Sequence, residues 1–241
     1  MKSEEGRKIH GQAEHAREKE QDCLKSLHLL EEALIVYEKD NDLRGFSEAL
    51  QSRSSVYKHL YQQSGNEAFI ILAKHDALSG IEIAENLEDK SSLAMVYRGA
   101  GKIYEQLKQW EEAAHYFSRA VEAFKNAPPI ENNRPAVLSD LNAHYAYNLY
   151  KSGDTRSGLH LMQESLSQLE NDSTEEKYNR DVWISGAHMR TAEMLVVDNP
   201  ESSKEHLAKA REIINSNPDL ELRSQQLNKL EAFLNAISSN E

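Results

Sequence analysis

The stretch RGAGKIYEQLKQWEEAAHYFSRAVEAF, from Arg98 to Phe124, alternates small and large side chains at fixed distances. Its small residues Gly101, Ala113 and Ala120 fall at helical intervals. Two antiparallel helices can approach closely only where the side chains at their crossing are small. The stretch therefore predicts a pair of helices that cross at these residues. The bulky residues expected to fill the space beside the crossing are Tyr104 and Phe117.

The composition favours helices along the whole chain. Its 241 residues include only 10 Gly and 5 Pro, and Ala, Leu, Glu, Lys and Gln outnumber the β-branched residues. These abundant residues are the best helix formers. No segment shows the sustained alternation of apolar and polar residues that marks a strand. The sequence predicts an all-α fold.

Clusters of turn-forming residues separate many of the helical segments, of which about eleven are expected. Each cluster combines Asn, Asp, Ser, Gly or Pro, which cap helices or form turns. Apolar residues recur at helical spacing between the clusters. The clusters lie at residues 39–42, 63–66, 88–91, 126–129, 152–154, 171–173, 198–200 and 215–218.

The opening stretch resembles the tetratricopeptide repeat, in which a large residue, a small residue and Tyr precede an Ala, aromatic, Ala series. Small residues stand at the corresponding place in the neighbouring segments, 43 to 47 residues apart. This spacing exceeds that of the standard repeat and is similar to the long-helix repeats of Rap-type proteins and kinesin light chains. The corresponding small residues are Gly11, Ser54, Ala146 and Thr191.

The resemblance implies a right-handed α-solenoid of about five helix pairs. The chain is expected to form one domain over 1–241, with pairs at about 4–40, 42–88, 89–127, 134–171 and 173–216. A lone amphipathic helix at about 219–238 is expected to cap the stack. Its predicted apolar residues are Leu220, Leu227, Leu230, Phe233, Leu234 and Ile237.

Charge and hydropathy exclude several classes of protein. The formal charge of −12 repels phosphate backbones and argues against a nucleic-acid partner. The sequence contains no window of eighteen consecutive apolar residues, which a membrane-spanning helix would need. The N-terminal residues MKSEEGRKIHGQ contain no apolar segment of the kind that a secretory signal needs. The sequence therefore predicts a cytoplasmic protein that binds neither nucleic acid nor membrane.

No pattern in the sequence indicates catalysis, a cofactor or a metal. The single Cys23 excludes an internal disulfide and a cysteine-based zinc site. The histidines lack the spacing of a helical zinc motif, and no Gly-rich phosphate loop or nucleophile elbow is present. We expect no enzymatic activity.

The resemblance also implies a concave groove lined by the first helix of each pair. Its expected lining is slightly more basic than acidic, in contrast to the acidic chain, which favours an acidic or carboxylate-ended peptide. The groove positions lack the Asn that a chaperone-tail receptor of this family requires. The candidate contact residues are Lys58, Arg98, Lys102, Tyr147, Tyr150 and Lys151.

The sequence is therefore compatible with two main functions and with a third, less favoured one. The first is a non-catalytic scaffold that binds a protein or peptide through the groove. The second is a Rap-like regulatory module that acts on a response regulator or senses a signalling peptide. Rap-type proteins place a helical bundle before their repeats, whereas pairing here begins near residue 5. The third is an enzyme whose site forms only on folding. The sequence leaves the partner and the oligomeric state open.

Overall fold

A computed structural model of the chain describes residues 3–129 and 132–238, with side chains to residue 234. Within these residues the secondary structure consists of eleven α-helices and contains no strand, as predicted. The helices are α1 (Glu4–Glu18), α2 (Cys23–Lys39), α3 (Leu43–Ser64), α4 (Glu67–Asn86), α5 (Leu93–Gln106), α6 (Trp110–Asn126), α7 (Pro135–Lys151), α8 (Thr155–Asn171), α9 (Lys177–Leu195), α10 (Pro200–Asn215) and α11 (Glu221–Ser238).

The predicted turn clusters supply the helix caps. The carboxylates of Asp42 and Asp154, both in predicted clusters, accept hydrogen bonds from backbone N–H groups in the first turns of α3 and α8. Asp22, which lies outside the predicted clusters, caps α2 in the same way. Such caps satisfy donors that a helix leaves without an internal partner. Helix α3 ends at Gly65, whose φ of 70° is a left-handed conformation that glycine adopts without strain. Local chemistry thus sets the helix ends.

The chain divides into two compact units, and the first is Met1–Asn133. It contains three antiparallel pairs, α1 with α2, α3 with α4, and α5 with α6. The first helices of successive pairs contact each other, and each second helix also packs on the next first helix. The largest side chains with no exposed surface in this unit include Leu30, Tyr37 and Phe117.

The crossing of α5 and α6 lies where the opening stretch predicts it. A Cβ atom at Gly101 would lie 2.9 Å from ring carbons of Phe117, so only glycine allows this approach. Ala113 and Ala120 are fully buried. The Tyr104 ring stacks on Tyr116 with 5.2 Å between ring centroids. The predicted contact between Gly101 and α6 is confirmed.

The prediction for Gly11 is wrong. Gly11 is exposed, and a Cβ atom there would have no neighbour within 4 Å. The fully buried Ala13 takes its place in the first pair, and the hydroxyl of Ser26 donates a 2.8 Å hydrogen bond to its carbonyl oxygen. Gly11 and Ala13 are both small and lie two positions apart in α1, and no tyrosine follows to fix the register of the repeat. The pattern of residue sizes therefore does not distinguish between them.

A serine hydroxyl occupies the helix crossing in two further pairs. Ser54 donates to the carbonyl of Ala73 at 2.8 Å, and Ser203 donates to the carbonyl of Ala192 at 2.7 Å. Both serines are buried. The hydroxyl is small enough for the crossing, and its hydrogen bond offsets the cost of burying a polar atom.

The second unit, Arg134–Glu241, contains the pairs α7 with α8 and α9 with α10, followed by α11. Gly158 brings α8 onto the backbone of α7, because a Cβ atom there would lie 2.7 Å from both the Ala146 carbonyl oxygen and the Tyr150 nitrogen. Helix α11 covers α9 and α10 with Leu227 and the partly buried Leu230, and Leu220, just before the helix, joins the same cluster.

Two of the predicted apolar residues of α11 need separate mention. Phe233 is 53% exposed, so its expected place on the packed face is wrong. Ile237 lies beyond the described side chains. Phe233 projects from α11, whose main contacts are with α9 and α10.

Each unit contains one tryptophan. Trp110 begins α6 and is partly buried. Trp183 lies on α9, where the guanidinium carbon of Arg134 is 5.6 Å from its ring centroid. Within residues 3–129 and 132–238, no helix combines the length and apolar character that crossing a membrane requires.

Candidate functional site

The predicted contact residues fall in both units and are described separately for each. Lys58 lies on α3, and Arg98 and Lys102 lie on α5, all in the first unit. Tyr147, Tyr150 and Lys151 all lie on α7 in the second unit.

In the first unit, α1, α3 and α5 bring cations together around one imidazole. The pKa of His59 is lowered to about 3 by burial and by the positive charges of Lys58, Arg17 and Lys102. His59 is therefore neutral at physiological pH. Arg98 lies one turn before Lys102 on α5. Lys58, His59, Arg98 and Lys102, all partly buried, are called the α3/α5 face below.

Side-chain amides line the same pair of helices. Nε2 of Gln62 donates to Oε1 of Gln106 at 2.5 Å, which joins α3 to α5. The amide of Gln51 lies where a Cβ atom of Gly99 would otherwise be, less than 2 Å from that position. Gly99 thus makes room for a polar side chain from α3. The α3/α5 face can offer N–H donors and positive charge to a peptide.

In the second unit, the predicted residues of α7 bind one carboxylate on α9 and one in the loop between α9 and α10. The hydroxyl of Tyr147 donates to Oε1 of Glu193 at 2.8 Å, and Nζ of Lys151 donates to the same oxygen at 2.9 Å. The hydroxyl of Tyr150 donates to Oδ2 of Asp198 at 2.9 Å, while burial raises the pKa of Tyr150. All three residues therefore have intramolecular partners.

Glu193 and Asp198 were missed in the sequence. Their spacing in the sequence could have indicated these contacts. Tyr147 and Glu193 are 46 residues apart, which is about one repeat. Residues one repeat apart face each other when the first helices of successive pairs pack, as α7 and α9 do. The positive charge of Lys151 is therefore compensated within the chain.

Two histidines also meet inside the second unit, between α9 and α10. Nδ1 of His188 lies 2.8 Å from Nδ1 of His206, so one nitrogen donates and the other accepts. Only 2% of His188 is exposed, and burial, with the neighbouring His206 and Lys209, lowers its pKa to about 3. The carboxylate of Glu170, which is half-exposed, lies 3.3 Å from Nε2 of His188.

We expect His188 to make the unit sensitive to acid. Between pH 7 and pH 5 the unfolded chain protonates this histidine near its ordinary pKa of 6.5, whereas the folded chain does not. The free energy of unfolding should therefore decrease as the pH is lowered from 7 to 5, by about 2 kcal/mol for one histidine. Urea unfolding of His188→Gln at pH 7 and pH 5 should show a correspondingly smaller loss.

His160→Gln is the matched control, because that imidazole is 73% exposed on α8. It should lose as much stability as the parent between the two pH values. An equal loss in the His188→Gln variant would mean that the histidine pair takes up a proton in the folded state.

The described residues contain no candidate metal site and no reactive thiol. Within 3–129 and 132–238, no three His, Cys, Asp or Glu side chains are arranged to hold a metal ion. Cys23 is buried, and burial raises the pKa of its thiol. The thiolate that would react is therefore disfavoured.

Comparison with known proteins gives a match in structure but not in sequence. No family model matches the chain, and no curated protein matches its sequence significantly. Among solved structures, a putative kinesin light chain from Podosopora anserina with TPR-like repeats has a TM-score of 0.59 at 11% identity, over 87% of this chain and 94% of that one.

Two further solved structures are similar. A Rap protein complexed with Competence and Sporulation Factor has a TM-score of 0.61 at 15% identity, over 97% of this chain and 65% of that one. BtubC (BKLC) from P. vanneervenii has a TM-score of 0.50 at 16% identity, over 88% of this chain and 89% of that one. At these identities the likeness concerns the fold, and the chain has the TPR-like, all-α solenoid fold that its sequence predicted.

Proposed function

We propose that the chain is a non-catalytic scaffold that binds a protein or peptide in the cytoplasm. The observation that carries the proposal is the α3/α5 face, where two lysines from neighbouring helices flank a neutral histidine. The Rap structure of the same fold is a complex with Competence and Sporulation Factor, which supports a peptide or protein as the ligand. Fold likeness alone would be a weaker argument, because one fold serves many functions.

The chemistry of this face favours an acidic or carboxylate-ended partner. Lys58, Arg98 and Lys102 supply charge-assisted donors, which bind carboxylates more strongly than neutral donors do. The rest of the acidic chain repels negative ligands that do not reach the face. The same negative charge argues against nucleic acid.

A Rap-like regulatory module is the second candidate. The similarity to the Rap protein extends over 97% of this chain, which favours it. This chain nevertheless spans only 65% of the Rap chain, so a Rap-like activity would have to come from that shared part. Binding to a purified response regulator, measured by calorimetry, would distinguish this function from peptide binding alone.

Charge reversal tests the α3/α5 face. A peptide selected on the protein from a library with free carboxyl ends should bind Arg98→Glu, Lys102→Glu at least tenfold more weakly, because repulsion replaces attraction. A tenfold loss corresponds to about 1.4 kcal/mol. Fluorescence anisotropy of the labelled peptide measures the affinity, which should also fall as salt rises.

The control carries the same change of charge elsewhere. Lys25 and Lys229 are exposed residues of α2 and α11, and Lys25→Glu, Lys229→Glu should lower affinity less than threefold. Equal losses in the two double variants would show that only net charge matters, and selection of no peptide would argue against the proposed function itself.

A further inference from the structure

An open cavity of about 210 Å³ lies in the first unit and is lined by residues 41–44 and 87–89. These residues form the beginning of α3 with the loop before it, and the loop that follows α4. The space exceeds that of a single water, which needs only about 10–15 Å³. From the rise of an α-helix, Arg44 lies about 20 Å along α3 from Lys58. The cavity is therefore separate from the α3/α5 face.

The side chain of Arg44 lines this cavity and is only partly paired. Its Nε donates to Oε1 of Glu48 at 2.8 Å. Its Nη1 is buried and makes no hydrogen bond, although Oδ2 of Asp89 lies 3.6 Å away. Only 10% of the side chain is exposed, so the surrounding protein fixes its direction. A buried charged donor without an acceptor costs free energy, and a ligand oxygen beside this guanidinium would offset that cost.

The two helix ends at the cavity carry opposite partial charges. The first N–H groups of a helix have no acceptor inside it. At the start of α3, Asp42 accepts the N–H of Gly45, and the described residues place no acceptor on the N–H groups of Leu43 and Arg44. On the opposite side, α4 ends at Leu87, where the helix carbonyls give a negative partial charge. The helix ends therefore polarise the cavity from α3 toward α4.

Carboxylates add to the negative side of the cavity. Glu88 is exposed and, within residues 3–129 and 132–238, makes no hydrogen bond or ion pair. Asp89 follows it in the same loop. The carboxylate of Asp42 is already compensated, because Oδ2 accepts the N–H of Ser3 at 3.0 Å and lies 3.7 Å from Nη2 of Arg7. The lining thus presents a cationic donor on one side and a carboxylate on the other.

We propose that this cavity binds a free amino acid with an apolar side chain. The ligand's carboxylate accepts from Arg44 and from the N–H groups at the start of α3, and its ammonium donates to Glu88 and Asp89. Leu43, which is 47% exposed, and Leu87 supply the apolar contact. A simple anion would be repelled by the two carboxylates and a simple cation by Arg44, so the lining favours a ligand with both charges. The site does not depend on the proposed function.

Isothermal titration calorimetry on the full chain tests the site with L-leucine and L-methionine as probes. At least one of them should bind saturably with one site per chain. Its amide, which lacks the carboxylate, and its N-acetyl derivative, which lacks the ammonium, should each bind at least tenfold more weakly. A peptide end supplies only one of the two charges next to its side chain, so the same derivatives distinguish a free amino acid from a peptide terminus.

Variants assign the binding to the cavity. Glu88→Gln should weaken the amino acid at least tenfold, and the fold should be kept because this side chain is exposed. Arg44→Gln should abolish measurable binding while the helical circular dichroism is kept. If that buried substitution unfolds the chain, Glu88→Gln still decides. Glu82→Gln is the matched control, since Glu82 is an exposed residue of α4 outside the cavity, and its affinity should equal that of the parent.

Three outcomes would overturn the inference. The first is the absence of saturable heat with both amino acids, which would leave water as the occupant of the cavity. The second is equal affinity for an amino acid and either of its derivatives, because one of the two charges would then have no role. The third is an equal loss in Glu82→Gln and Glu88→Gln, which would show that only the net charge of the chain matters.

Discussion

Replacing Gly158 with leucine is expected to lower the free energy of unfolding by about 3 kcal/mol or more. A Cβ atom at this position would lie 2.7 Å from backbone atoms of Ala146 and Tyr150, and backbone cannot rotate aside as a side chain can. Helix α8 would have to move away from α7 along their whole contact. The loss should therefore be larger than overpacking against a flexible side chain would cause.

Urea unfolding followed by tryptophan fluorescence measures this loss. Because Trp183 lies in the second unit, a background in which Trp110 is Phe reports on the unit that holds Gly158. Gly11→Leu is the control, read from Trp110 in a background in which Trp183 is Phe, because Gly11 lies in the first unit. A Cβ atom there meets nothing within 4 Å, so leucine should stabilise α1 by about 0.5–1 kcal/mol through helix propensity. A parent-like midpoint for Gly158→Leu would contradict the close contact of α7 and α8.

Gly101→Leu should cost about 2–3 kcal/mol in the first unit. The new side chain would meet the ring of Phe117, which has no exposed surface and no room to turn. The cost is smaller than at Gly158 because a ring can shift by a few tenths of an ångström where a backbone cannot. Trp110, in a background in which Trp183 is Phe, reports on this unit.

The result for Gly101 would also test the register of the repeat. If the Gly101→Leu variant has the same urea midpoint as the parent, while Gly11→Leu raises the midpoint as expected, then the crossing lies elsewhere on α5. The order of loss expected across the three leucine variants is Gly158, then Gly101, with a gain at Gly11.

The fold could be predicted from the sequence wherever a small residue and a large aromatic residue stood at a fixed helical spacing. Gly101, Phe117 and Ala120 are tied by fixed helical distances, so these residues alone are enough to place the pair α5 and α6. In α1 the pattern contained two small residues and no aromatic landmark, and the choice of Gly11 over Ala13 was wrong. Side-chain volume predicts a crossing only when a large neighbour fixes the register.

The candidate site was less predictable, because it depends on contacts between repeats. The charges of Lys58 and Lys102, from α3 and α5, both lower the pKa of His59, but whether these residues bind a ligand stays a prediction. Tyr147 and Lys151 instead bind Glu193 one repeat later, a contact decided by the rotation of α9 against α7. Such rotations vary by fractions of a turn, and no local spacing in the sequence reports them.

The serine hydroxyls at the helix crossings bear on how many different sequences this fold can accept. Ser26, Ser54 and Ser203 occupy the kind of place that Gly101 occupies elsewhere in the chain. Such a place is limited by volume, so glycine, alanine and serine can each fit it. One backbone path is therefore compatible with quite different residues, as in the solved structures that match most of the chain at only 11% to 16% identity.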